Sequence, residues 1–113
     1  MDTLERTLKA LADKNRLRII GLLSRRKLCV CELAEVLKIT QPSVSKHLKK
    51  LKQAGIVESE QDGFWTNYFL SINRKTCSVA VMNLIEQLLA SEAQLKADLR
   101  EVHKTDRKKL CCR

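Results

Sequence analysis

Nothing in this 113-residue chain approaches the roughly 18 uninterrupted apolar residues of a membrane span, and Met1 to Arg6 shows no basic segment leading into an apolar run. These absences exclude a membrane helix and a secretory leader by pattern, so a cytoplasmic protein with no membrane partner is expected. There is no Cys-X-X-Cys motif and no evident nucleophile, base and orienting group, which argues against an enzyme. Proline occurs once, at Pro42, and the length allows one modest core rather than two ordinary domains. Carboxylates are scarce: 13 acidic residues stand against 22 Lys and Arg, giving a formal net charge of +9 and a pI of about 9.6. Such a field attracts polyanions over about a Debye length, so nucleic acid is the first partner to test and an anionic membrane surface the second. The five cysteines are odd in number and cluster at Cys29/Cys31 and Cys111/Cys112. That usage favours reduced thiols over a secreted disulfide framework.

What is present is helical periodicity. Asp2 followed by Glu5 predicts a capping box, with Leu4, Leu8 and Leu11 on one face of a first helix. Asp13 predicts the cap of a second, in which Leu17, Ile20 and Leu23 turn inward while Arg16, Arg18, Arg25 and Arg26 take the solvent side or its end. A short third helix is expected from about Cys31 to Leu37, with Leu33, Ala34 and Leu37 inward. The fourth is the most informative: Thr40 as N-cap, Pro42 in the first turn, Gly55 as the stop, and Val44, Leu48 and Leu51 as core face. No acidic residue lies between Thr40 and Val57, whereas Lys46, Lys49, Lys50 and Lys52 do. A solvated helix ordinarily mixes both signs, so this face points to a polyanion. A short helix, a tight turn and a basic second helix form a helix-turn-helix pattern.

Ile56 to Glu60 and Phe64 to Ser71 flank Gln61-Asp62-Gly63, and Asp-Gly predicts a hairpin turn. From about Thr76 to Val102 one long helix is expected, with Val81, Leu84, Leu88, Leu95 and Val102 nearly heptad and Ile85, Leu89 and Leu99 widening the stripe. A 13.0 kDa domain needs no such helix for its own core, so a subunit interface is expected. The predicted fold is mainly α (α+β): a winged helix-turn-helix with one β-hairpin wing and terminal helices forming a dimer interface. Residues 1–102 make that domain, and 103–113 form a basic cysteine-containing tail.

Leu11-Ala12-Asp13-Lys14-Asn15-Arg16-Leu17-Arg18-Ile19-Ile20, Cys29-Val30-Cys31-Glu32-Leu33-Ala34, Gln41 to Leu51, Gly55-Ile56-Val57 and Tyr68 to Ser71 occur in an order that resembles the ArsR/SmtB family of metal-responsive repressors. The resemblance covers most of residues 3–102. It implies a homodimer that holds double-stranded operator DNA and leaves it when metal binds. It also implies, together with helix position, that Gln41, Ser43, Ser45 and His47 face base edges, where hydroxyls and an amide read donor and acceptor patterns. Lys46, Lys49 and Lys50 are expected at phosphates. One departure stands out: the wing carries Glu58, Glu60 and Asp62, with no Lys or Arg between Gln53 and Asn73, so the usual wing contact with DNA is in doubt. Trp65 and Tyr68 read as packing residues.

Thiolates select thiophilic ions, and a helix N-terminus beside Arg25, Arg26 and Lys27 favours the thiolate form. Residues i and i+2 of a regular helix diverge, so Cys29 and Cys31 converge on one ion only if Cys29 lies in the non-helical approach or the first turn deforms. The competing reading makes Cys31 a small core residue. Arsenite-responsive relatives use three thiolates; position 34 here is Ala34, so Cys111 or Cys112 becomes the candidate third ligand, while Cys77 reads as core. As(III), or Sb(III), is therefore the expected inducer. A Cd(II), Pb(II) or Zn(II) repressor of the same family is the nearest alternative, although Asp98, Glu101 and His103 lack the second histidine of a closed zinc site. A thiol redox-switched regulator and a nonspecific architectural DNA protein complete the alternatives.

Overall fold

The computed structural model describes residues 1–71 and 79–105, and Cys77, Cys111 and Cys112 lie outside them. Helix α1 (Asp2–Leu11) leads to α2 (Lys14–Leu23), α3 (Val30–Leu37) and α4 (Gln41–Gln53); an antiparallel hairpin β1 (Val57–Asp62) and β2 (Trp65–Leu70) follows, then α5 (Val79–Ala90) and α6 (Ala93–Val102). The expected winged helix-turn-helix is the observed architecture. Its core gathers Ile19, Ile20, Leu22, Leu28, Leu33, Val44, Leu48, Leu51, Ile56 and Val57 from α2, α3, α4 and the hairpin's entry, all fully buried. Each such side chain contributes about 1.5–3 kcal/mol by leaving water.

Local chemistry explains most boundaries. The Asp13 carboxylate accepts the Arg16 N–H at 3.1 Å and starts α2, while Thr40 Oγ1 accepts the Ser43 N–H at 3.2 Å and starts α4. Pro42 sits in the first turn of α4, where its missing donor has no intrahelical partner to lose. At the start of α1 the expected capping box does not form: Met1 is the N-cap, and the Glu5 N–H bonds the Met1 carbonyl at 2.9 Å. Asp2 and Glu5 remain in the first turn, where the helix dipole favours them. The hairpin turn lies one residue later than its Asp-Gly signal suggested. Asp62 still pairs with Trp65, so the loop is Gly63-Phe64, and Gly63 at φ 62° supplies the positive φ that a two-residue turn requires.

Two further expectations change. The single C-terminal helix is two helices, broken at Ser91-Glu92, with Glu92 extended at ψ 128°. One straight helix would place Leu84, Leu88, Leu95 and Val102 on one face. The break separates them: Leu95 and Val102 are buried, whereas Leu84 and Leu88 are 55% and 62% exposed. Helix α6 returns against α2 at Gly21, where a Cβ would come within 2.5 Å of Leu95 Cδ1, so glycine permits the close approach. Nor does Arg18 face solvent. Its Nε and Nη2 donate to Asp98 Oδ2 and Oδ1 at 2.8 and 2.9 Å, and Gln94 donates to the same carboxylate at 3.0 Å. This fork also reaches the Val36 carbonyl at 3.5 Å, so one guanidinium joins α2, α3 and α6. Burial opposes its charge, but the Asp98 hydrogen bonds come first among the causes and raise the Arg18 pKa.

Candidate nucleic-acid interface and thiol site

Helix α4 presents Val44, Leu48 and Leu51 to the core and leaves Gln41, Ser45, Lys46, Lys49 and Lys50 exposed. Ser43 and His47 are half-buried. The Ser43 hydroxyl accepts from Thr40 Oγ1 at 3.0 Å, so it is partly committed to the cap. The Asp13 carboxyl, which burial alone would raise, is held below its ordinary range by the Arg16 N–H and by the charges of His47 and Arg16. Lys50 and Gln53 border a cleft of about 780 Å³ with Arg6, Lys9 and Arg16. On the opposite flank Lys52 Nζ donates to Ser59 of the wing at 2.8 Å. The basic face is therefore spread around the helix, with Ser45, Lys46 and Lys49 at its most outward part.

Each carboxylate of the acidic wing is engaged within the protein. Glu60 pairs with Lys27 at 2.9 Å, Glu58 accepts from the Ser71 hydroxyl at 3.1 Å, and Asp62 accepts from Asn67 Nδ2 at 3.3 Å. Trp65 is half-buried, and Tyr68 packs on the core, in line with packing roles. Leu28 forms an antiparallel bridge with Tyr68: the Tyr68 N–H reaches the Leu28 carbonyl at 2.8 Å and the Leu28 N–H returns at 3.2 Å. Strand β2 thus lies between β1 and the residue that precedes Cys29.

Cys29 is the N-cap of α3, buried and extended at φ −96°, ψ 171°. Its sulfur accepts the Glu32 N–H while its own N–H donates to Glu32 Oε1 at 3.1 Å, forming a reciprocal capping box. Glu32 is buried as well, and Arg26 Nη2 pairs with its other oxygen at 3.0 Å. Cys29 therefore occupies the non-helical approach that convergence with Cys31 requires. Cys29 is not in a disulfide, whereas Cys31 is disulfide-bonded, a departure from the expected reduced thiols. Among those residues no group of three His, Cys, Asp or Glu is arranged to hold a metal ion. Asp98 is committed to Arg18, and Glu101 pairs with Lys104 at 3.3 Å. Sequence reasoning named Lys27 and Glu32 beside the thiols but missed their partners and the role of Leu28, because those partners lie across the hairpin or depend on the cap.

Residues 13–59 match the model of the bacterial regulatory protein, arsR family. The chain belongs to this family. It is 44% identical over 68 residues to the arsenical resistance operon repressor of Bacillus subtilis, a match covering 59% of this chain and 65% of that protein. It is 35% identical over 79 residues to the cadmium resistance regulator CadC of Listeria innocua, covering 69% and 61%. Less than two thirds of each of those relatives is spanned. Among solved structures it is similar to the homodimeric winged helix-turn-helix DNA-binding domain Mb0332 of Mycobacterium bovis, with 27% identity, a TM-score of 0.66 and coverage of 79% and 77%. Family and fold are those of DNA-binding transcriptional regulators rather than enzymes. Among the described residues no helix is long and apolar enough to cross a membrane.

Proposed function

We propose that this ArsR-family regulator is a homodimeric repressor that holds operator DNA and releases it when As(III), or Sb(III), binds its cysteine thiolates. The observation that carries the reading is Cys29 itself: an extended, buried N-cap thiol two residues before Cys31, on the helix that leads into α4. Arsenite is neutral As(OH)3, and each thiol that binds it forms a sulfur–arsenic bond while its proton leaves with one hydroxide as water. Cys31 must be reduced first, and Cys111 or Cys112 supplies the third sulfur. On the DNA side, Gln41, Ser45 and His47 read bases with Ser43 at the edge of the groove, while Lys46, Lys49 and Lys50 bind phosphate. The dimer reading is supported by Leu4 and Leu8 of α1, each about half exposed, together with Leu84 and Leu88 of α5.

The test is binding of the reduced protein to a duplex it selects from random sequence, titrated in parallel with As(III), Sb(III), Cd(II), Pb(II) and Zn(II). Release at lowest concentration by As(III), lost in Cys29→Ser, is the expected result. Release by Cd(II) or Zn(II) with no arsenite response would overturn the ion assignment. A second reading, favoured by the disulfide at Cys31, is a thiol redox switch. Peroxide would then abolish binding and a reductant restore it, with no metal response.

A further inference from the structure

The geometry points to Lys27 and Leu28 as positioning residues that tie the Cys29 thiol to the wing, so that an inducer acts on the wing's contact with DNA as well as on α4. This rests on the reading of Cys29 as a sensing thiol. The observations form a continuous chain. Leu28 is bonded to Tyr68 through both of its backbone groups, at 2.8 and 3.2 Å. Lys27, one residue earlier, crosses β2 with its ammonium 5.0 Å from the centre of the Phe69 ring and ends on Glu60 of β1 at 2.9 Å. On the other side of Leu28, the Cys29 N–H and sulfur are both held by Glu32, which Arg26 fixes in turn. The bridge and the ion pair thus reach both wing strands from the two residues before the thiol.

An ion on the Cys29 sulfur withdraws charge from it and draws it toward the other thiolates, which weakens and bends its cap bond from the Glu32 N–H. The strain falls on the first turn of α3 and, through the bonded backbone, on Leu28 and Lys27. The consequence is electrostatic: without the Lys27 ammonium, Glu60 stands as a bare carboxylate on a wing that carries no Lys or Arg of its own between Val57 and Leu70. A carboxylate turned toward phosphate weakens binding, and one half-exposed pair sets the scale at about threefold.

Trp65, the single tryptophan, begins β2 and reports on the wing. In the reduced full-length protein, arsenite should shift Trp65 emission with the midpoint of the ultraviolet thiolate-to-arsenic band. Lys27→Met should keep that midpoint, bind the selected duplex about threefold more weakly without inducer, and lose about threefold of the ratio of affinities without and with arsenite. Lys27→Arg should retain both, and adding Glu60→Gln to Lys27→Met should recover inducer-free affinity. If the band forms and DNA is released while Trp65 emission stays constant and Lys27→Met keeps the wild-type ratio, the wing route is wrong and the inducer assignment survives. If no band forms in the wild type, it is the inducer assignment that fails. Methyl methanethiosulfonate then perturbs the thiols directly: a shift of Trp65 emission supports the wing route, and an unchanged spectrum overturns it.

Discussion

Replacing Asp98 by alanine removes the acceptor of three hydrogen bonds, from Arg18 Nε at 2.8 Å, Arg18 Nη2 at 2.9 Å and Gln94 at 3.0 Å. The carboxylate side chain is 3% exposed and the guanidinium 16%, so water cannot fully replace what is lost. Arg18 would keep only long contacts, to Asn15 at 3.3 Å and the Val36 carbonyl at 3.5 Å. Breaking a buried pair from one side costs about 3–5 kcal/mol, and the residual exposure of Arg18 places this case near the lower end, about 3 kcal/mol. At roughly 4 °C per kcal/mol for a chain of this size, the melting temperature should fall by about 12 °C. Urea unfolding at fixed protomer concentration measures the loss directly, since the proposed dimer would make apparent stability concentration-dependent. The double variant Arg18→Met, Asp98→Leu should recover most of it, because apolar replacement removes both buried charges together. A loss below about 1 kcal/mol in Asp98→Ala, or a double variant as unstable as the single, would refute the reasoning.

Lys49→Gln should weaken binding uniformly across duplex sequences and lower the salt slope by about one; a sequence-dependent loss would move Lys49 from phosphate to base contact. The double variant Leu4→Glu, Leu8→Glu should shift sedimentation toward monomer and weaken operator binding without lowering helix content, whereas an unchanged oligomer would place the dimer contact elsewhere. Thr40→Ala should cost about 1 kcal/mol through the lost cap of α4, read by urea unfolding; no loss means the Ser43 N–H finds water instead. The Asp13 pKa is lowered in the folded state, so its contribution is present above the unfolded carboxylate range and disappears as pH falls through the folded value. Asp13→Asn should therefore flatten the acid limb of a stability–pH profile and leave its alkaline limb in place.

Residues close in sequence decided what could be read without coordinates. The start of α2 at Asp13, the start of α4 at Thr40 and the buried face Val44, Leu48 and Leu51 are consequences of caps and a 3.6-residue period, whose partners lie within about one turn. The hairpin was legible from Asp62-Gly63, though its turn register was fixed by strand pairing, which continues through Asp62 and Trp65. The basic, carboxylate-free α4 and the Cys29-Val30-Cys31 block likewise marked the candidate interface and the candidate thiol site from composition and order alone.

Tertiary structure decided the rest, because its causes act across long separations. Arg18 looks like a solvent arginine until Asp98, 80 residues away, closes on it. The apolar stripe of the last segment looks like one helix until the reversal at Ser91-Glu92 sends Leu95 and Val102 to the core and leaves Leu84 and Leu88 outside. Glu60 reads as a lone wing carboxylate until Lys27, 33 residues before it, closes on it. A helix cap is set by neighbours in the chain; a buried ion pair, a helix reversal and a bridge to the wing exist only when distant segments meet and exclude water between them.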